Sequence, residues 1–465
     1  MTSSSSDTGN SSKKVEGDFS SSKSTDEIPS KSSEKSGLLQ IIINFIQLVG
    51  GKAIGGLISI VYLLIVTRYL GATGYGVLTL LYGYSLLIGN LVAFSGFHGV
   101  VRYGAIALEN KRYSFFARLV RCMAVIEGSC GIIAVIIAAI LAPIIGPHLG
   151  WPPNIMTEAE IFSLAVLATV RQTPQGILQL AHRFDLIGLH QVTMPLFRLI
   201  GTLIAWLTRG GLDSFIMVWM ISAVIECLAM WALAAHEWPK LSHNQPFFGA
   251  WRSVPKEQPG LIHFAIMTNF DLTLRELTPN LVPLTIGWCL GTSATGLFSL
   301  AQKASNILQQ PALLLLQASY SVLAKIAARK NYRMLQHTVW RGSGLSVIVS
   351  VIFLTLIALF GRQLMVSVGG KTFDSGSLLV LLVATARAIS LIATPILSGL
   401  TTISRPHHPV LITIFINIGL YPLLPWMLIH FGLYGAGIHA CILESCGLFL
   451  FAILFYKTSE KLKMT

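Results

Sequence analysis

The run Leu70-Gly71-Ala72-Thr73-Gly74-Tyr75-Gly76-Val77-Leu78-Thr79-Leu80 returns later in the chain in nearly the same words. Its echo is Leu290-Gly291-Thr292-Ser293-Ala294-Thr295-Gly296-Leu297-Phe298-Ser299-Leu300. Four positions are identical without a gap, most of the others are conservative, and the offset is 220 residues (290 − 70). Further anchors keep the same order at nearly the same offset. Thr173-Pro174 meets Thr394-Pro395, Phe197 with Ile200-Gly201 meets Phe415 with Ile418-Gly419, and Gly211-Leu212 meets Gly432-Leu433. A period near half the chain reads as an internal duplication, the plan of a transporter made of two like lobes.

Composition sets the class. The chain has 465 residues, of which only 11% are charged, against about 25% for an ordinary soluble protein. Its mean hydropathy is +0.68, and the apolar residues come in long runs such as 132–145 and 347–360, as membrane spans do. The net charge of +13 does not indicate nucleic-acid binding. Lys and Arg gather in particular loops and in both tails, where they read as topology signals and contacts with anionic membrane lipids. Six cysteines lie in or beside apolar segments with no metal-ligand spacing, so neither disulfides nor zinc are expected.

The pattern predicts an all-α polytopic membrane protein of about twelve transmembrane helices, arranged as two six-helix lobes. Residues 1–36 are a Ser- and Lys-rich tail with too little apolar surface to fold. The N-lobe covers 37–237 and a Pro- and aromatic-rich linker 238–260. The C-lobe covers 261–457, and a short tail 458–465 follows. Spans four and ten are expected at 159–181 and 377–400. Cations cluster in alternate loops, at Arg102, Lys111, Arg112 and Arg118, then Lys240, Arg252 and Lys256, then Arg329, Lys330, Arg333 and Arg341. The positive-inside rule puts those loops and both termini in the cytoplasm. Two repeats of even helix number share one orientation, so their pseudo-two-fold axis runs along the membrane normal.

Charges inside the spans point to a site. Lys52, Arg171, Arg198, Arg275, Lys303 and Arg387 fall well within predicted helices, as do Glu127, Glu226, Asp271, Glu276 and Glu444. Each costs about 2.5–3.5 kcal/mol at mid-span, so each needs a partner or a wet cavity. Arg171 and Gln175 share one face of span four. Arg387, Ser390, Thr394 and Ser398 share a face of span ten, and Lys303 and Asn306 stripe span eight. A cation excess favours an anionic ligand, and the planar fork of Arg suits phosphate. Set against this, Asp271 and Arg275 are four residues apart and can pair along their own helix, and any of these charges can serve as a structural ion pair. Glu226, Asp271 and Glu276 are candidates for coupling to H+ or Na+. Pro174 and Pro395 interrupt their spans, either as packing kinks or as hinges. There is no P-loop, HExxH or nucleophile elbow, so no cofactor, metal or enzymatic reaction is expected.

Span one running into Thr67-Arg68-Tyr69-Leu70-Gly71-Ala72-Thr73-Gly74-Tyr75-Gly76 resembles the Arg-x-Leu-Gly-x-x-x-Tyr-Gly mark of the polysaccharide-export branch of the MOP (MATE-like) superfamily. Phe97-His98-Gly99-Val100-Val101-Arg102-Tyr103, the echo at 290–300 and the stretch 432–440 are similar to other landmarks of that group. The resemblance covers about residues 38–456 and leaves the Ser-rich tail outside. It implies two six-helix lobes around a cationic cleft and the flipping of an undecaprenyl-pyrophosphate-linked oligosaccharide from the cytoplasmic to the outer leaflet of a bacterial inner membrane. The product would serve exopolysaccharide, O-antigen or capsule assembly, with a polysaccharide polymerase and glycosyltransferases as functional neighbours. The cavity set expected for pyrophosphate and sugar is Lys52, Arg171, Gln175, Arg198, Arg275, Lys303, Asn306 and Arg387. A MATE-like multidrug or cation antiporter on the same scaffold predicts carboxylates and aromatics instead. A membrane glycosyltransferase or ligase needs a larger outer loop than this chain offers, and a scaffold subunit of an export complex stays open.

Overall fold

The computed structural model describes residues 31–328, 331–403 and 407–464, with side chains described from Gln47 onward except for Arg275, 307–322 and a few shorter stretches. Of the unfolded tail expected over residues 1–36, residues 1–30 lie outside the described residues, and 31–36 instead belong to the first helix. The chain divides into two compact units, Met1–Ile46 and Gln47–Thr465. The first is helical over 31–46.

All regular structure among the described residues is helical. Helix α1 is Lys31–Val92, followed by α2 (Phe97–Glu109), α3 (Tyr113–Ile145), α4 (Met156–Phe162), α5 (Gln172–Leu180), α6 (Phe184–Leu207) and α7 (Leu212–Leu241). A short α8 (Val254–Glu257) leads to α9 (Leu261–Ala328), α10 (Tyr332–Gly369), α11 (Ser377–Ile403), α12 (His407–Leu420), α13 (Leu423–Phe431) and α14 (Tyr434–Met464). Among the described residues eight helices are long and apolar enough to cross a membrane, or nine when the pair Leu411–Leu420 and Leu423–Phe431, bent by 42°, is one span.

Two of those eight cannot cross as straight rods. Gly50–Val92 has 43 residues, which as one α-helix would run about 65 Å through a hydrocarbon layer about 30 Å thick. It breaks at Gly71 (φ 67°, ψ −173°), and Leu261–Asn306 breaks at Gly291 (φ 82°, ψ −177°). These are the paired glycines of the sequence echo, in matching conformations that a side chain resists. A second pair at the same offset, Gly150 (φ 73°) and Gly370 (φ 80°), also has positive φ, though their ψ angles (26° and −174°) differ. With each kinked helix read as two limbs, and the bent pair and the broken stretch 156–180 read as one span each, the count is consistent with the twelve spans expected.

The echo marks a crossing as well as a turn. A Cβ placed on Gly76 would collide with the carbonyl oxygen of Thr292, and one on Gly296 would collide with the carbonyl oxygen of Ala72. Position 72 is to 292 as 76 is to 296, so the contact is reciprocal, as across a two-fold axis. Beside it, Thr67 donates to the Val368 carbonyl at 2.8 Å and Arg68 to that of Ser367. Both carbonyls belong to the last turn of α10, which has no helical partner for them. In the opposite sense, Trp288 stacks on His148 at 4.6 Å.

Packing inverts the soluble pattern. On α3, Ala134, Ala138 and Ala142 are fully buried, while Ile132, Ile136, Ile140 and Ile144 are more than half exposed. The small stripe lets the second limb of α1 come close, and Tyr84 donates to the Ala138 carbonyl at 2.7 Å. The isoleucine stripe is the face for acyl chains.

Candidate functional site

The fourth expected span, 159–181, is not one helix. It runs as α4, a 3-10 stretch over Ser163–Thr169, a break at Val170 and Arg171, and then α5. A break at membrane depth frees backbone groups that must find partners inside the protein. The Val170 carbonyl accepts from Trp231 Nε1 at 3.0 Å and Cys227 Sγ at 3.3 Å. The freed N–H groups turn to Glu127 of α3, whose carboxylate is fully buried. It accepts from Gln172 N (2.7 Å), Thr173 N (2.8 Å), Thr173 Oγ1 (2.5 Å) and, in the turn between α1 and α2, Gly96 N (3.2 Å). A carboxylate at a helix N-terminus is also placed well for the helix dipole. A Cβ on Gly96 would collide with Thr173 Oγ1, so the turn closes tightly on the cap. Pro174, the third residue of α5, is therefore part of a helix start, where its missing N–H costs nothing. Pro395 differs: it lies inside the continuous α11.

The break aims Arg171 into a cavity of about 520 Å³. Arg171, Gln172 and Gln175 come from the head of α5; Tyr82, Asn90, Ser95 and His98 come from α1, α2 and the turn between them. The far wall is one face of the first limb of α9, with Asn269, Thr273, Glu276 and Asn280 spaced for a single helical stripe. That wall is fastened across the cavity. Asn269 accepts from Ser95 N at 2.5 Å and donates to Ser95 O at 3.1 Å, and Thr273 donates to the Asn90 carbonyl at 2.9 Å.

Arg171 is half-buried and pairs with Glu226 of α7, whose other carboxylate oxygen is buried without a hydrogen-bond partner among the described residues. His190 of α6 bonds the Glu226 carbonyl at 2.9 Å, which steadies the same turn. The second half has a related pairing, in which Glu444 of α14 hydrogen-bonds Ser390 and lies within charge reach of Arg387 on α11.

Of the residues singled out from the sequence, Arg171, Gln175 and Glu276 line this cavity, and Glu226 touches it through Arg171. Lys52, Arg198, Lys303, Asn306 and Arg387 are not among its described lining residues. Lys52 is exposed on α1, and Asn306 and Arg387 are partly buried elsewhere. Arg198 is 5% exposed, directly behind Tyr82. Its guanidinium lies 4.5 Å from the Tyr82 ring and 4.9 Å from that of Trp219, its Nε bonds Ser222 at 3.2 Å, and one terminal nitrogen has no partner among the described residues. Lys303 sits 5.6 Å from the Tyr75 ring centroid. Asp271, partly buried on α9, is within charge reach of His98. The Arg275 side chain lies outside the described residues. Sequence reasoning passed over Asn269, Thr273 and Asn280 because it followed charge; their helical spacing with Glu276 was the signal.

Comparison with known proteins bears on this geometry. Residues 41–327 match the model of the family described as polysaccharide biosynthesis protein. The inner membrane protein YghQ of Escherichia coli (strain K12) is 26% identical over 290 residues, covering 62% of this chain and 81% of YghQ. Among solved structures, an inward-facing multidrug resistance MATE family transporter of the MOP superfamily aligns with TM-score 0.66 at 12% identity, over 92% of this chain and 99% of the other. The lipid II flippase MurJ, in an inward closed conformation, aligns with TM-score 0.60 at 14% identity over 91% of both chains. At these identities the structural likeness establishes the fold: this is a MATE-like, all-α polytopic membrane protein.

Proposed function

This chain belongs to the polysaccharide biosynthesis protein family, and from that premise we propose that it is a flippase for an undecaprenyl-pyrophosphate-linked oligosaccharide. It carries that lipid from the cytoplasmic to the outer leaflet of the inner membrane by alternating access of two lobes, 37–237 and 261–457, for surface polysaccharide assembly. The observation that carries this reading is Arg171, fixed by a capped helix break at the wall of a polar cavity within the membrane. A guanidinium offers pyrophosphate two parallel N–H donors, and the neutral amides of Gln175, Asn269 and Asn280 suit sugar hydroxyls. Arg198 and Lys303 lie deeper, behind Tyr82 and near Tyr75, and would meet the anion as the lobes rock. The lipid tail stays among acyl chains between the lobes.

Glu226 occupies the place an anion would take on Arg171. Pyrophosphate capture therefore displaces Glu226, and a displaced carboxylate at that depth takes up a cation or a proton. This exchange would couple transport to an H+ or Na+ gradient. Glu276 and the aromatic residues Tyr82, Phe94 and Phe97, all lining this cavity, favour a second reading, a MATE-like cation or drug antiporter.

One experiment separates them. In a deletion strain, lipid extraction is expected to recover sugar-linked lipid held in the inner leaflet. Complementation with Arg171→Ala is expected to leave export at least ~10-fold down, since truncating one side of a buried charged pair costs about 2–5 kcal/mol. Unchanged export with lost drug resistance would overturn the flippase in favour of the antiporter.

A further inference from the structure

We infer that the segment between α7 and α9 is a membrane-surface anchor, in which Phe248 inserts among lipid chains and the neighbouring cations hold anionic headgroups. The inference is independent of what the cavity carries.

The segment is short and tethered at both ends. Leu241 closes one membrane-crossing helix and Leu261 opens the next, so its tip stays close to the membrane boundary. It is also built rather than slack. Arg121 of α3 reaches into it and donates to three carbonyls, those of Pro246, Phe247 (3.0 Å) and Ala250 (3.2 Å). The loop wraps the guanidinium so closely that a Cβ on Gly249, at φ +145°, would sit 3.0 Å from Arg121 Nη1. Trp238 donates to the Gln245 carbonyl at 2.7 Å, Phe247 packs edge-on against Trp238 at 5.3 Å, and Arg118 pairs with Glu257 at 2.8 Å.

What faces outward is Phe248, at 84% the most exposed large apolar residue outside the membrane-crossing helices among the described residues. A lone exposed Phe needs no explanation on a soluble surface. Here it is presented by a clamp at the level where aromatic rings prefer to lie, and its segment carries an excess of positive charge. Arg252 and Lys256 are exposed in the same segment, and Arg112 lies within charge reach of Glu257. The one acid among them, Glu257, is taken by Arg118. Apolar tip and basic rim together match an anionic leaflet, where each Lys or Arg near the surface adds attraction. A protein partner would have no such charge preference to meet at the membrane boundary.

The test uses the full chain in nanodiscs of phosphatidylethanolamine, with or without phosphatidylglycerol, carrying the photo-crosslinker benzoylphenylalanine in place of Phe248. Phe415, 76% exposed on the membrane-crossing α12, receives the same group as a positive control. The expected result is a lipid adduct at 248, with phosphatidylglycerol over-represented. Changing Arg252→Gln and Lys256→Gln together should lower that over-representation by about fivefold or more. The inference is overturned if position 248 gives no lipid adduct while 415 does, if its adducts are to protein, or if phosphatidylglycerol shows no preference.

Discussion

Thr173-Pro174 and Thr394-Pro395 occupy corresponding places in the two halves, yet one pair opens a helix and the other sits inside one. In the first half Thr173 gives both its N–H and its hydroxyl to Glu127. In the second, Thr394 turns its hydroxyl back to the Ser390 carbonyl of its own helix at 2.8 Å. The repeat offset places residues 345–348, Leu-Ser-Val-Ile, opposite Glu127. No carboxylate stands there to receive freed N–H groups, and α11 runs unbroken. The lesson is that proline did not decide the break. A proline only removes one hydrogen bond; a partner for the groups left behind decides whether a helix can open in a membrane.

The sharpest way to break this comparison is to remove the partner. Glu127→Ala leaves three buried N–H groups without an acceptor, at about 1–3 kcal/mol each. That loss is enough to abolish folded protein, read by yield and by melting in detergent. Val347→Ala, its counterpart, should change stability by less than about 1 kcal/mol. Equal effects would show that the break does not rest on the carboxylate. Next in size, Gly76→Ala and Gly296→Ala each force a methyl group into a carbonyl of the other half, at a cost of about 1–3 kcal/mol or more. Because the contact is reciprocal, the two should lower the melting temperature alike, and a large difference would deny the two-fold relation. For the charged pairs, Arg387→Ala should reduce export less than Arg171→Ala, since only Arg171 lines the cavity; the reverse order in the export assay would move the site to the second half.

The smallest effect concerns Glu257. A hydrogen bond from Arg118, helped by Ser253, holds its carboxyl below the usual carboxylate range. A depressed acid adds stability above its unfolded value of about 4.3, and that stability is lost as pH falls through the lower folded value. Melting curves from about pH 5 down to about pH 3 should therefore fall less steeply for Glu257→Gln than for the parent chain.

How much of this was legible in advance follows from where each instruction is written. The duplication was readable because the echo of 70–80 at 290–300 and its companion anchors repeat at a nearly fixed offset. The all-helical membrane class was readable from composition. The break in span four was not, because its cause is a residue on another helix, some forty-five positions upstream of Thr173. The same holds for the cavity. Arg171, Gln175 and Glu276 were found by charge and spacing, while Arg198 and Lys303 were grouped with them because a sequence shows that a helix carries a charge but not which way it faces.

The meeting of Gly76 with Thr292 and of Gly296 with Ala72 carries a consequence for descent. Each side offers the other the same two features, a bare α-carbon and a carbonyl one turn away, so the surface is complementary to itself. A half-length ancestor bearing this stretch once would already possess what it needs to join a second copy of itself in the membrane. Fusion of the two genes would then have preserved an existing handshake rather than invented one, and left each half free to drift everywhere except at the point of touch.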